Sequence, residues 1–189
     1  MFVNPKELKK LMQEAYKSSN LIVGNTGECY YLQGTYWKVL CKKSFITKTI
    51  LAAIIELAGE LPEEGECFCA GKDGNQMQVN SMKIDTGVEK TKVDVTRFVL
   101  LEHAASRMLQ GATGRIYLIN NKFINMINGK HYDYENGETE PEGPYIFGGC
   151  QAYWKNNVME FIALLRGCEE YERILEKMEM VDLTKTHED

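Results

Sequence analysis

The sequence predicts an α+β fold of two diverged units, each a helix followed by an antiparallel meander, packed as one compact body. One observation is an amphipathic helical pattern followed by three short apolar segments between turn residues. Another is that the same order of elements recurs later in the chain. A third is that 44% of the 189 residues are apolar, enough to fill a core. We expect a first unit at 1–87, a second at 88–168 with an acidic loop insertion at 133–144, and a C-terminal helix with a frayed tail at 169–189.

The first unit is predicted to begin with a helix from Pro5 to Ser18. Asn4 is a good N-cap, Pro5 suits the first helical position, and apolar residues recur at helical spacing from Leu8 to Ala15. Strand patterns separated by glycine-containing turns follow at 21–23, 28–32 and 36–41. The helix is therefore expected to pack on a small antiparallel sheet.

A second helix is predicted to begin at Ser44, its cap, and to end at Gly59 or at the Leu61-Pro62 step. The segment is apolar on most of its circumference, so we expect it to be buried on most sides. A hairpin around Asp73-Gly74 then completes the unit.

The second unit is predicted to begin with a third helix from Asp94 to Gln110. Strands are expected in the segments GRIYLI, KFINMI and KHYDY, with turns at Asn120-Asn121 and Asn128-Gly129. YIFGG and CQAYWK are predicted as further strands, NNVMEFIALLRG as a short helix, and EEYERILEKMEM as a docked helix that turns Ile174, Leu175 and Met178 inward.

An internal duplication is predicted from an alignment of the chain with itself. A shift of 87 residues places residues 25–40 on 112–127 without a gap and matches Thr26, Gly27 and Tyr30 to identical residues. The same shift sets the first predicted helix against the third. Because helix, turn and strands stay in phase, we favour duplication over coincidence.

The composition argues against several broad classes. The net charge of −5 gives no general affinity for phosphate backbones, so any contact with nucleic acid needs a local basic patch. The chain begins without the apolar run of a signal peptide and contains no membrane-length apolar stretch, so we expect no membrane contact and a cytoplasmic location. The six cysteines lack the spacing of a disulfide scaffold and are expected to be free thiols.

Metal-binding, cofactor and catalytic motifs are not evident. Cys67 and Cys69 share one face of a strand, but no histidine falls at a matching spacing, and we interpret both as small buried hydrophobes. The acidic loop departs from the calcium-loop order because Gly137 stands at a ligand position. Glu102 and His103 are adjacent on a predicted helix and point in different directions, so they do not form an acid/base pair. We expect no cofactor, and an enzyme is the minority hypothesis.

Basic and aromatic residues of the first unit form the best positive signal. Lysines recur on the polar side of the first helix, opposite its apolar stripe. Two more lysines directly precede the predicted cap of the second helix, where free backbone N–H groups favour an anion. The predicted anion- or nucleic-acid-binding residues are Lys6, Lys10, Lys17, Tyr36, Trp37, Lys38, Lys42, Lys43 and Ser44. The alternative is an ordinary solvated surface with Trp37 in the core. Trp154, which no lysine pair follows, is predicted to be core.

The acidic loop is the second candidate surface. It is rich in glycine and carboxylates and lacks an apolar period, so we expect it to be exposed. The predicted contacts to a basic partner are Tyr132, Asp133, Tyr134, Glu135, Glu138, Glu140 and Glu142.

Two resemblances add expectations about function. On Leu61-Pro62, Gly65, the strand Glu66 to Ala70, Gly74-Asn75 and Met77 to Val79, the first half resembles one domain of a DNA sliding clamp. That likeness implies lysine-bearing helices that line a ring around DNA, although the second unit lacks the Leu-Pro step and the lysine stripe. The whole chain resembles uncharacterised prophage proteins of Gram-positive bacteria, notably in NPKELKKLMQEAYK and KKSFITKTILAAIIELAGELPEEGE.

These observations favour a non-catalytic phage or mobile-element protein that binds a host macromolecule stoichiometrically. It would act as an anti-defence inhibitor or by sequestering a nucleotide. The alternative is a clamp-like nucleic-acid-binding accessory protein, and the second alternative is an enzyme whose site is not readable from sequence. The expected partners are a host protein or nucleic acid, and a homo-oligomer is an open possibility.

Overall fold

The computed structural model describes residues 1–79, 82–84, 87, 89–101, 104–127, 133–167 and 169–185. In this part of the chain there are four α-helices and eleven strands, so the fold is mixed and mostly sheet. The helices are α1 Pro5–Lys17, α2 Lys48–Ala58, α3 Asn121–Met126 and α4 Glu172–Met178. The strands are β1 Leu21–Asn25, β2 Cys29–Gly34, β3 Trp37–Lys42, β4 Cys67–Gly71, β5 Gly74–Met77, β6 Thr91–Leu100, β7 Ser106–Gly111, β8 Ile116–Asn120, β9 Glu142–Phe147, β10 Gln151–Lys155 and β11 Met159–Arg166. Among the described residues, no helix is long and apolar enough to cross a bilayer.

The chain divides into two compact units that are not contiguous in sequence. The first unit contains residues 1–85, 126–142 and 155–162, and the second contains 86–125, 143–154 and 163–189. The first unit thus includes two segments, 126–142 and 155–162, that the sequence analysis assigned to the second.

In the first unit, two helices pack on an antiparallel sheet. The strand order is β11-β3-β2-β1-β4-β5, with β1 paired to both β2 and β4. Helix α1 buries Leu8, Leu11, Met12 and Ala15, the residues of its apolar stripe, and contacts α2. The predicted first helix, the first three strands and the β4–β5 hairpin are confirmed to within about two residues at each end.

The second helix begins later than the sequence predicted. Strand β3 continues to Lys42, which pairs with Cys29, and the N–H of Phe45 then bonds to the Lys42 carbonyl at 3.0 Å. That turn uses Ser44, so the prediction that Ser44 caps the helix is wrong, and Thr47 is the N-cap. The helix ends as predicted at Gly59, whose φ of 80° lies in the left-handed region. It is less buried than expected, because Ile55 is 49% exposed.

In the second unit, six strands pair in a ring. The order is β10-β9-β6-β7-β8-β11, and an additional β10–β11 pairing closes it. Helix α4 packs against β7 and β8, where Leu175 joins a buried cluster and Met178 lies against it. The predicted inward position of Leu175 is confirmed, whereas that of Ile174 is wrong, because its side chain is 58% exposed. Trp154 of β10 is buried, as predicted for a core residue.

The predicted third helix, Asp94 to Gln110, is wrong, because β6 extends to Leu100 and β7 begins at Ser106. The pairing of β6 with β7 shifts register between Val95 and Val99. This irregularity buries Val93 and Thr96, three residues apart, and leaves Val95 largely exposed. The irregular strand therefore has buried residues at a spacing of three, which is also the spacing of a helix.

Two further elements of the second half were predicted with the wrong type of secondary structure. KFINMI was predicted as a strand but forms α3, where Phe123 and Met126 are buried one turn apart. NNVMEFIALLRG was predicted as a helix but contains β11, whose run from Phe161 to Ala163 is buried without alternation and so carries no strand period. The 87-residue shift thus sets α1 against β6 and β3 against α3. The same shift sets β1 on β7 and β2 on β8, so the strands agree there, but the match of helix to helix that suggested a duplication is absent.

Some predictions lie outside the described residues. They are the Asn128-Gly129 turn, most of the KHYDY strand, the Glu102-His103 pair and the last residues of the tail, 186–189.

Candidate functional site

The first unit contains an open groove of about 950 Å³. This volume lies within the range of small-molecule sites. The groove is lined by residues from the starts of both long helices, from the turn before α2 and from the acidic loop. They are Met1, Asn4, Pro5, Lys6, Ser44, Phe45, Ile46, Thr47, Thr49, Asp133 and Asn136.

One wall of the groove is the start of α1. The side-chain oxygen of Asn4 accepts from the N–H of Lys6 at 3.0 Å, and the Asn4 N–H donates to the Met126 carbonyl at 2.9 Å. These bonds fix the first turn, and Pro5 has no N–H to satisfy. Lys6 is exposed, and no carboxylate of the described residues pairs with it.

A second wall is the start of α2, which has none of the usual stabilisers of a helix N-terminus. Thr47 has the extended N-cap conformation, but its side chain makes no capping hydrogen bond. The first turn holds no acidic residue and begins with Lys48, whose positive charge is unfavourable at the positive end of the helix dipole. The Ile50 N–H bonds to the Thr47 carbonyl at 3.0 Å, but the start of α2 has neither a side-chain cap nor an acidic residue in its first turn.

The hydroxyl group of Thr47 is the most unusual polar atom of the groove. Its Oγ1 is buried and has no hydrogen-bond partner among the described residues. A buried polar group without a partner is costly. The residue as a whole is partly exposed and lines the groove. Ser44 and Thr49 contribute two more hydroxyl groups, both on exposed residues.

The acidic loop supplies a wall of different chemistry. The Asp133 carboxylate accepts from the backbone N–H of Asn136 at 3.2 Å and from its side-chain amide at 2.7 Å. These bonds cap a short 3₁₀ turn over Tyr134–Asn136. The same groove is thus lined by a carboxylate and by a set of hydrogen-bond donors.

The loop is braced from beneath by Glu138, which corrects the prediction that this residue is exposed for a partner. Its buried carboxylate accepts from the N-terminal amine of Met1 at 2.6 Å, from the Asp133 N–H at 3.1 Å and from the Asn156 side chain at 3.1 Å. A carboxylate with three such donors is a structural support. Asp133 therefore stands on a braced loop.

Four other residues predicted as contacts to a basic partner are exposed: Tyr134, Glu135, Glu140 and Glu142. Two of them have partners within the protein, since the Tyr134 hydroxyl donates to Glu140 at 3.1 Å and Glu142 pairs with Lys155 at 3.5 Å. Tyr132 lies outside the described residues.

The predicted basic residues do not form one site. Lys6, Lys10 and Lys17 are exposed along α1, and Lys10 pairs with Glu7 at 2.8 Å. On β3, Lys42 is exposed and Lys38 is half-buried, whereas Trp37 faces the core, where its ring lies against Gly34 in the space that a Cβ would need.

Three predicted anion-site residues lie beside these. Tyr36, next to Trp37, is 60% exposed. The ammonium of Lys43 lies 5.6 Å from the ring centre of Tyr30. Ser44 lines the groove, so Lys6 and Ser44 are the two members of the predicted set that do so.

The cysteines behave as packing residues. Burial raises the pKa of the Cys41 thiol to about 12, and burial also raises the pKa of Cys67. Cys67 is buried as predicted, whereas Cys69 is partly exposed and its thiol donates to the Ser19 carbonyl at 3.3 Å. In the part of the chain described, no group of three or more potential metal ligands comes together.

The sequence-based prediction of the site missed four lining residues: Phe45, Thr47, Thr49 and Asn136. It assigned Asp133 to another surface. The segment TKT at 47–49 carried a usable signal, because a threonine followed by lysine and threonine is a weak cap with no acidic first turn. No local pattern joins this segment to Asp133, which lies far along the chain. No protein-family model matches the chain, and no curated protein matches it.

Proposed function

We propose that this chain is a stoichiometric binding protein that holds a phosphate-bearing nucleotide in the groove between the starts of α1 and α2. The observation that carries the proposal is that the uncapped start of α2, Lys6 and three hydroxyl groups line one cavity. Helix N-termini with free N–H groups are common binding sites for phosphate. Because the start of α2 has no side-chain cap and no acidic residue, a bound anion would stabilise it more than it would stabilise a capped helix start.

An anionic ligand would resolve three unfavourable features together. It would accept from the first-turn N–H groups of α2, offset the repulsion between Lys48 and the helix dipole, and give the Thr47 hydroxyl an acceptor. Lys6 would add a charge-assisted hydrogen bond from the opposite wall.

The lining of the groove favours holding a ligand over transforming it. Among the described lining residues there are one carboxylate, Asp133, and one lysine, Lys6, and neither a histidine nor a cysteine. A protein of this kind in a phage would act by withdrawing a nucleotide from the host.

Calorimetric titration with paired ligands tests the proposal. AMP and GMP are expected to bind, whereas adenosine and guanosine, which lack the phosphate, are expected to bind far more weakly. Lys6→Ala is expected to weaken AMP binding about tenfold through loss of a charge-assisted hydrogen bond. Lys17→Ala is the matched control, because it removes an exposed lysine of the same helix outside the groove. Equal binding of nucleoside and nucleotide, or an equal effect of the two variants, would overturn the proposal.

Nucleic-acid binding on the outer face of α1 is the second candidate function. It is favoured by one observation, the exposure of Lys6, Lys10 and Lys17 on one helix face, the arrangement that the sliding-clamp resemblance implies. This function predicts that DNA affinity falls steeply with added salt. It also predicts that Lys10→Ala and Lys17→Ala weaken DNA binding as much as Lys6→Ala does. Absence of DNA binding at low salt would exclude it.

A further inference from the structure

Resting on the proposed function, we infer that the nucleotide is a guanine nucleotide and that Asp133 selects the base. The inference concerns the part of the ligand that the phosphate-binding walls do not explain. An anion alone gains nothing from a carboxylate in its site, because like charges repel. A ligand that suits the whole groove needs an anionic group at one end and hydrogen-bond donors at the other.

The loop wall carries the Asp133 carboxylate. Asp133 directs its two oxygens to Asn136, yet a carboxylate has about four lone-pair positions and retains capacity for two more donors. Asn136 also lines the groove, and its side-chain N–H is already bonded to Asp133. The preferred neighbour of this wall is therefore a pair of adjacent donors.

Of the common bases, guanine fits such a wall. Its N1–H and N2–H groups are adjacent donors that one carboxylate accepts together. Adenine and cytosine place a ring acceptor beside their amino group, and uracil flanks its N–H with two carbonyl oxygens. Each of these would set an acceptor against the Asp133 oxygens. The ribose diol is a second source of paired donors, and the ligand set below separates it from the base.

Two features favour binding of a base at Asp133. The buried Glu138 carboxylate accepts from the Asp133 N–H at 3.1 Å, so the loop is held in place before a ligand arrives. Phe45, a half-buried aromatic residue of the groove lining, offers a surface on which a base can stack.

The test is a calorimetric comparison of GMP, dGMP, AMP and XMP on the wild type, Asp133→Asn and Glu135→Gln. The wild type is expected to bind GMP and dGMP alike, and both about 5- to 150-fold more tightly than AMP, as a paired contact to a base edge provides. Asp133→Asn is expected to lose this preference and to gain XMP, because an amide donates to the xanthine O2 and accepts from its N1–H. A variant that had merely unfolded would not gain a ligand. Glu135→Gln, in the same loop but outside the groove lining, is expected to behave as the wild type.

The failures of the two proposals are distinguishable. If neither GMP nor AMP binds, the proposed function fails and this inference fails with it. If both bind with equal affinity, or if Asp133→Asn keeps its GMP preference, the groove holds nucleotides but Asp133 does not select guanine. If AMP matches GMP while dGMP is weaker, the loop wall recognises the ribose diol and the inference is overturned.

Discussion

Replacing Thr47 with valine is expected to separate stability from binding. The substitution keeps the β-branched shape and removes a buried hydroxyl that has no partner among the described residues. Because an unsatisfied buried polar group costs about 1–3 kcal/mol, its removal should leave the free energy of unfolding unchanged or raise it. Thr96 is the matched control, since its buried hydroxyl donates to the Met108 carbonyl at 2.9 Å and accepts from the Phe98 N–H at 3.2 Å. Thr96→Val should therefore lose about 1–3 kcal/mol of stability.

Nucleotide affinity should change in the opposite sense. A hydrogen bond to a charged group contributes about 1.5–3 kcal/mol, so Thr47→Val should weaken nucleotide binding about 10- to 150-fold, while Thr96→Val should not. Urea denaturation followed by tryptophan fluorescence measures the stability, because the first unit buries Trp37 and the second buries Trp154. Titration calorimetry measures the affinity. The reasoning is refuted if Thr47→Val destabilises the protein as strongly as Thr96→Val does. It is also refuted if the Thr47→Val variant binds nucleotide like the wild type.

Three further predictions concern buried groups. Glu138→Gln should lower the free energy of unfolding by about 3–5 kcal/mol, because it breaks a buried ion pair. The control Glu135→Gln, at an exposed residue, should change it little. Equal urea midpoints for the two variants would contradict this prediction. Thiol labelling of the native protein read by peptide mass spectrometry should modify the exposed Cys150 well before the buried Cys41, and equal rates would contradict the packing. Burial raises the pKa of both Cys41 and Tyr31 to about 12, from 9.0 and 10.0, so the unfolded chain ionises first as the pH rises. Stability should be fully present below pH 9 and decline between about 9 and 12; a flat alkaline profile of the urea midpoint would count against this.

The first unit could be predicted from sequence because its signals are local. Asn4 and Pro5 define the start of α1, Gly59 ends α2, and the two-residue turn at Lys72-Asp73 sets the register of β4 and β5. Each signal acts within a few residues and needs no knowledge of the rest of the fold.

The second unit could not be predicted in the same way. The irregularity in β6 replaced a two-residue period with a three-residue one, and β11 is apolar without alternation around Phe161. Both patterns are compatible with a helix in the absence of their partner strands. The pairings that decide the matter, such as Val93 with Gly111 and Leu165 with Ile119, join residues distant in sequence.

The candidate groove was predictable only in part of its lining. Sequence reasoning placed an anion site at the start of the second helix and included Lys6 and Ser44. It placed that start at Ser44 and so missed Thr47, because the extension of β3 to Lys42 depends on its pairing with Cys29. The approach of Asp133 to the same groove depends on Glu138 and its buried contacts, which no local pattern reports.

A titration of the isotopically labelled protein with GMP, followed by amide NMR at each backbone N–H, locates the ligand. The proposed site predicts that the largest shifts fall on Lys48 and Thr49 at the start of α2, with smaller shifts at Lys6 and Asp133, and that β7 and β8 of the second unit are unaffected. Shifts that spread along α1 through Lys10 and Lys17, or that concentrate in the second unit, would contradict the groove as the binding site.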